Sequence, residues 1–310
     1  MNTQMLPTID NASSSNPKPV VRRKSLALLS ASILVAALTG CQKSDDAAKN
    51  TTVSSTASSA APSSSGKTIR IATEGTYKPF SITNADGSMT GFDIELMRAL
   101  CDDMKANCEI KAQDWDGILP GLLAKKYDAI IDAMSMTPER KAQVDFSDPY
   151  FTNTLVFLVK KGSPITPDDT AQIDSHTIAV QRSSLSSQWL DKNHPNAKQK
   201  AYESIDNAFL DLASGRSEMM IADKAPAYYW TTTPEGKDFE VKGKEIDIND
   251  KMGIVIRKGD PLRQDFNTAL AHVKANGTYD KIYQKYFGNT KTTTAAASTT
   301  TVASTASTSK

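Results

Sequence analysis

Three cysteines and three histidines in 310 residues leave little material for metal or thiol chemistry. His176, His194 and His272 lie far apart, and none stands at ligand spacing from a cysteine, so neither a metal site nor a cofactor is expected. An excess of one charge sign is lacking too. With 36 Lys and Arg against 35 Asp and Glu, the formal charge is +1, which provides no basic field to hold nucleic acid. The apolar run from Leu26 to Leu38, 13 residues, is too short to span a bilayer. No G-x-S-x-G turn and no Cys/His pair offers a nucleophile, so no catalytic residue is assigned. Gly66-Lys67-Thr68 ends like a phosphate loop, but the glycine needed five places earlier is Ala61.

What is present at the start of the chain is an export pattern. A polar stretch closes with Arg22-Arg23-Lys24, the apolar run follows, and Leu38-Thr39-Gly40-Cys41 resembles the bacterial lipobox. The resemblance implies that residues 1–40 are a lipoprotein signal peptide and that Cys41 carries a diacylglyceryl anchor. A lipobox cysteine with several acyl chains suffices for stable attachment to a bacterial membrane, facing the periplasm or the exterior. Cleavage would remove Lys18, Arg22, Arg23, Lys24 and Asp10 and move the charge from +1 to about −2. It would also leave Cys101 and Cys108 as an even pair in an oxidising compartment, where a disulfide joining a helix end to the next strand is expected. Closing so short a loop is worth about 2.5 kcal/mol in the chain-entropy model. Residues 41–66 read as a flexible linker and 290–310 as a disordered Thr/Ser/Ala tail, because neither has apolar surface to bury.

Between them, strand and helix patterns alternate. Thr68 to Ala72 alternates like a strand, Phe92, Leu96 and Leu100 mark one helix face, and Glu109 to Ala112 and Ala129-Ile130-Ile131 read as further strands. Leu155 to Val159 and Met252 to Ile256 are two extended crossings flanking a middle unit with strands at Thr177 to Val180 and Met219 to Ala222. The expected fold is α/β in two lobes, each a mostly parallel sheet covered by helices, joined by two hinge crossovers around a cleft. Lobe I would comprise 67–154 and 253–289, and lobe II 155–252 with the hinges.

The stretch Tyr127 to Tyr150 organises the rest. Thr137-Pro138 signals a helix start, which puts Arg140 near the third helical position, where the helix dipole disfavours a cation. Either Arg140 is a surface residue paired with Glu139 or Asp145, or its fork and the helix-end N–H groups together hold a carboxylate. In open parallel sheets ligands bind at the carboxyl ends of strands. Glu74, Trp115, Asp132 with Ser135, Ser183 with Ser184, and Asp223 each follow an expected strand.

Blocks in order then carry a resemblance: Thr73 to Phe80 (TEGTYKPF), Gly91 to Leu96 (GFDIEL), Asp114 to Pro120 (DWDGILP), Ser135 to Arg140 (SMTPER), Asp145 to Tyr150 (DFSDPY) and Asn276 to Tyr283 (NGTYDKIY). Across Lys67 to Gly288 the chain resembles the polar amino-acid binding proteins of ABC importers, solute-binding family 3 with the type II periplasmic binding fold. The resemblance implies a Venus-flytrap receptor that closes on one free amino acid and presents it to an inner-membrane permease, as a monomer without enzymatic activity. It implies Arg140 on the α-carboxylate, helped by N–H groups of Ser183, Ser184 and Leu185. Asp223 would take the α-ammonium together with Ser135 or the backbone near Asp132 and Ala133. Asp223 as N-cap of the following helix is the structural alternative.

Tyr77 and Trp115 match the aromatic pair of the lysine, arginine, ornithine and histidine binders, and Glu74 stands at that subgroup's acidic position. By themselves the two aromatics would read as core and Glu74 as a solvated turn residue. Arg140 and Asp223 neutralise each other, so carboxylates at Glu74 and Asp132 call for a cationic ligand side chain, arginine slightly ahead. Asp132 could instead meet the ligand ammonium, and Arg182 would oppose a cation if it pointed inward. The alternatives on the same fold are a prephenate or arogenate dehydratase and a sensory amino-acid-binding lipoprotein.

Overall fold

The computed structural model describes residues 66–288. The expected signal peptide, lipid-carrying Cys41, linker up to residue 65 and C-terminal tail lie outside the described residues.

Two five-stranded sheets organise the rest. In the first, β1 (Thr68–Thr73) lies between β4 (Asn107–Ala112) and β5 (Ala129–Ile130), parallel to both. A small hairpin of β2 (Ile82–Thr83) and β3 (Met89–Thr90) follows β1, and α1 (Phe92–Asp103) and α2 (Trp115–Leu123) make the crossovers. After α3 (Pro138–Gln143), β6 (Val144–Phe146) returns to this sheet. In the second sheet β7 (Phe151–Lys160) precedes α4 (Thr170–Ser175), β8 (Thr177–Gln181), α5 (Leu185–Asn193), β9 (Lys198–Tyr202), α6 (Ile205–Ala213), β10 (Met219–Asp223) and α7 (Lys224–Thr231). Then β11 (Phe239–Met252) pairs with β7, and β12 (Val255–Arg257), α8 (Leu262–Ala275) and α9 (Thr278–Phe287) rejoin the first half.

The strand orders are β4-β1-β5-β12-β6 and β11-β7-β10-β8-β9. Each sheet is mixed rather than mostly parallel. Helical crossovers make the β4-β1-β5 and β9-β8-β10 groups parallel, while chain segments arriving from the other half pair antiparallel beside them. The chain returns from the second sheet to the first between Met252, where β11 ends, and Val255, where β12 begins.

Phe92, Leu96, Leu100, Phe266, Leu270 and Phe287 bury the helices of the first half against Ile69 and Ile71, at about 1.5–3 kcal/mol for each large side chain removed from water. Phe157, Val180, Leu190 and Ile221 do the same in the second half. A Cys101–Cys108 disulfide ties the end of α1 to β4. The carboxyl ends of the first sheet's strands meet those of β8 and β10 through hydrogen bonds of Gln181 to Glu74, Tyr77 to Asp223, and Arg140 and Trp115 to the carbonyls of Ser183 and Arg182.

Candidate functional site

Thr137 caps α3, its hydroxyl accepting the Arg140 N–H at 3.3 Å with Pro138 in the first helical position. The guanidinium then turns back into the protein and is only 8% exposed. It donates to the Ser135 carbonyl at 2.9 Å and, across to the second half, to the Ser183 carbonyl at 3.0 Å. Its centre sits 5.3 Å from the Trp115 ring centroid. The surface alternative fails: Asp145 accepts from Gly259 and pairs with Lys258.

Asp132, just past β5, is buried. Its Oδ1 accepts from the Thr73 hydroxyl (2.9 Å), the Glu74 N–H (2.9 Å) and the Ser81 hydroxyl (3.2 Å), while Oδ2 has no partner. Glu74 is buried beside it and accepts from Thr76 at 2.8 Å and from Gln181 of the second half at 3.0 Å. Burial and, for Glu74, the charge on Asp132 push both carboxyls well above the usual carboxylate range. The Ala133 N–H is committed inward, to Asp93 at 2.7 Å and the Tyr150 hydroxyl at 3.1 Å, so only the carbonyl side of that backbone is open to a ligand. Ala133 and Ser183 both occupy the left-handed region, at φ 44° and 56°, where a glycine would sit without strain.

Asp223 ends β10 and stands where a helix cap would, yet its side chain makes no cap hydrogen bond to α7. Instead it accepts from the Tyr77 hydroxyl at 2.5 Å and the Asn153 amide at 2.8 Å. Burial first, then the charge of Asp250, pushes it up to about 7. Ser135 donates to Asp250 at 3.0 Å. Ser184 caps α5, accepting from the Ser187 N–H at 3.2 Å, which places Leu185 at the helix start. The first N–H groups of a helix have no partner inside it.

Trp115 donates its indole N–H to the Arg182 carbonyl at 2.9 Å, joining the two halves at the rim. The Arg182 side chain points away from Glu74 and pairs with Asp116 at 2.8 Å and Glu203 at 3.5 Å. Lys78 reaches Asp206 at 3.3 Å on another part of the rim.

The structure therefore gathers Glu74, Tyr77, Trp115, Asp132, Ser135, Arg140, Ser183 and Asp223 around one junction between opposed strand tips. Three residues beside them are not among those the sequence singles out: Gln181, which holds Glu74, and Asn153 and Asp250, which face each other across β7 and β11. Gln181 could have been found as the last residue of its strand; Asn153 and Asp250 carry no local signal. Chemically, the junction offers one buried guanidinium, four buried carboxyls, two aromatic side chains and a helix start. Such a set can hold a zwitterion at both ends.

Residues 69–289 match the bacterial extracellular solute-binding proteins, family 3. The lysine/arginine/ornithine-binding periplasmic protein of Escherichia coli (strain K12) is 36% identical over 231 residues, 71% of this chain and 88% of that protein. A solved ancestral arginine-binding protein bound to arginine has a TM-score of 0.68 at 37% identity, covering 71% of this chain and 98% of its own. An ancestral amino acid-binding protein, a precursor of cyclohexadienyl dehydratase, has a TM-score of 0.64 at 37% identity, covering 71% and 95%. With its two sheets, its junction of strand tips and this match over most of its length, the chain belongs to the bacterial extracellular solute-binding proteins, family 3.

Proposed function

We propose that the protein captures a free amino acid with a basic side chain, arginine first and lysine, ornithine or histidine after it, outside the cytoplasm and delivers it to an ABC permease. In this reading it works as a monomer tethered through Cys41. Arg140, with the N–H groups of Ser183 to Leu185, takes the ligand carboxylate. Asp223 and Ser135 take the α-ammonium, and Tyr77 and Trp115 flank the side chain, where cation–π contact adds about 0.5–2 kcal/mol per ring.

One observation supports the basic side chain above the others. Glu74 and Asp132 are buried together, neither is in an ion pair among the described residues, and one oxygen of Asp132 has no partner at all. Burying such groups unpaired is costly, and a guanidinium or ammonium between them supplies the missing charge. Arg182 does not oppose that cation, because it is turned to the rim. Calorimetric titration with the twenty amino acids and ornithine tests the proposal. Saturable binding of the basic four is expected, and tighter binding of a neutral or acidic amino acid would overturn it.

The dehydratase alternative draws on Glu74, whose raised affinity for its proton suits a general acid. No turnover of prephenate or arogenate is expected. Turnover that Glu74→Gln abolishes would replace the receptor proposal by an enzyme.

A further inference from the structure

The floor between the two halves is made by β7 and β11, where Asn153 and Asp250 are cross-strand partners. Both are buried, at 2% and 7% exposure. The Asn153 amide nitrogen donates to Asp223 at 2.8 Å and to Asp250 at 3.0 Å, so both of its protons are committed to carboxylates. The single proton of the Ser135 hydroxyl goes to Asp250 at 3.0 Å, and that of Tyr77 goes to Asp223 at 2.5 Å. Every donor to these two carboxylate side chains from Asn153, Ser135 and Tyr77 is neutral. Arg140, the cation whose field reaches both, spends two of its N–H groups on the Ser135 and Ser183 carbonyls.

Two consequences follow for the amino end of a ligand. Because Asp250 takes the Ser135 proton, the Ser135 oxygen can face a ligand only as an acceptor. Two carboxylates then share one Asn153 nitrogen, and among the described residues no cation is in an ion pair with either. A primary ammonium, with three N–H groups and a full charge, matches two carboxylates and one acceptor hydroxyl. A ligand carboxylate or acylated nitrogen there would face repulsion and unpaired acceptors. That a ligand enters this junction is supported independently by the family match and by the unpartnered Asp132 oxygen.

We propose that Asp250, acting with Asn153 through Ser135 and Asp223, is a specificity-determining residue that makes the cleft require a free, unsubstituted α-ammonium on its ligand. The proposal rests on the amino-acid receptor reading and adds to it a residue on the hinge strand. Asp250 is a positioning residue: it sets the proton direction of Ser135 and adds the second charge, without replacing Asp223 as the direct partner. Its place on β11 also puts amino-end recognition on the strand that returns from one half to the other.

The test uses calorimetry with L-arginine, Nα-acetyl-L-arginine and 5-guanidinopentanoate, which is arginine without its amino group. The full chain should bind arginine and reject the acetylated form. Asp250→Asn keeps the shape and should weaken arginine at least about tenfold while leaving 5-guanidinopentanoate within about twofold, so that the ratio between them collapses. Asn153→Ser, which frees both carboxylates for the ammonium, should move the ratio the opposite way, favouring arginine further, and tests the proposal even if Asp250→Asn folds poorly. Equal losses for both ligands would make Asp250 merely structural and overturn the proposal, as would an unchanged ratio. Failure of the unaltered protein to bind any amino acid would instead remove the receptor reading itself.

Discussion

Asp128 and Asp132 sit four residues apart at opposite ends of the same short strand, and their surroundings differ in kind. Asp128, at the amino end of β5, accepts from Arg70 through three nitrogens at 2.8–3.1 Å and from Arg257 at 3.3 Å. Arg70 above all holds its carboxyl down to about 2. Asp132, at the carboxyl end, is fully buried, receives only neutral donors on one oxygen and nothing on the other. One end of the sheet is electrostatically complete, and the other is left short of a cation. The difference supports the carboxyl end as the proposed binding end, because burying an unpaired carboxylate is costly unless something else supplies its partner.

Changes at the two ends should therefore behave oppositely. The largest effect is expected from Arg140→Ala, which removes the buried cation at the binding end. Arginine affinity measured by calorimetry should fall by about 2–5 kcal/mol, because the ligand carboxylate loses its main partner in a desolvated site. Unchanged affinity would take Arg140 out of the site.

Next comes pH. Asp93, pushed up to about 8 by burial, and Asp223, pushed up to about 7, bind protons more tightly folded than unfolded, where both titrate near 3.8. Folding therefore takes up protons in that interval, and stability from these groups is lost as pH rises from about 4 to about 8. Thermal melts of the ligand-free protein should show this fall, whereas the pairing of Asp128 stabilises fully above about 4 and is lost only as pH falls towards about 2. A cationic ligand favours the ionised carboxylates, so saturating arginine should flatten the slope; the same slope with and without arginine would contradict the comparison.

A smaller, opposite pair of effects separates the aspartates directly. Asp128→Asn should cost about 1 kcal/mol of stability and leave arginine affinity unchanged. Asp132→Asn should raise the melting temperature of the empty protein and weaken arginine. The smallest effect is expected at the rim. Arg182→Ala breaks exposed pairs with Asp116 and Glu203 and should cost only about 0.2–1 kcal/mol, read as faster, salt-dependent arginine release in stopped flow.

Much of this arrangement is legible in the amino-acid sequence. Thr137-Pro138 marks a helix start by local chemistry alone, and the carboxyl-end rule gathers Glu74, Trp115, Asp132, Ser183 and Asp223 from strand patterns. What the sequence hides depends on long-range pairing. Glu240 to Lys251 is dense in charge and is assigned no element from the sequence, yet it forms most of β11 because it pairs along β7 at the sheet edge. Asn153 and Asp250 meet only through that pairing. The direction of Arg182 is also open in the sequence; it lies in the turn after β8, where its side chain pairs with Asp116 and Glu203. The mixed sheets are hidden for the same reason, since strand direction depends on where each crossover lands.

The cation shortage at the binding end is tested most directly by one ratio. In the Glu74→Gln/Asp132→Asn double variant, the affinity for arginine relative to glutamine, both measured by calorimetry, should fall at least about tenfold while the empty protein melts at a higher temperature. Equal losses for the two ligands, or an unchanged ratio, would contradict it.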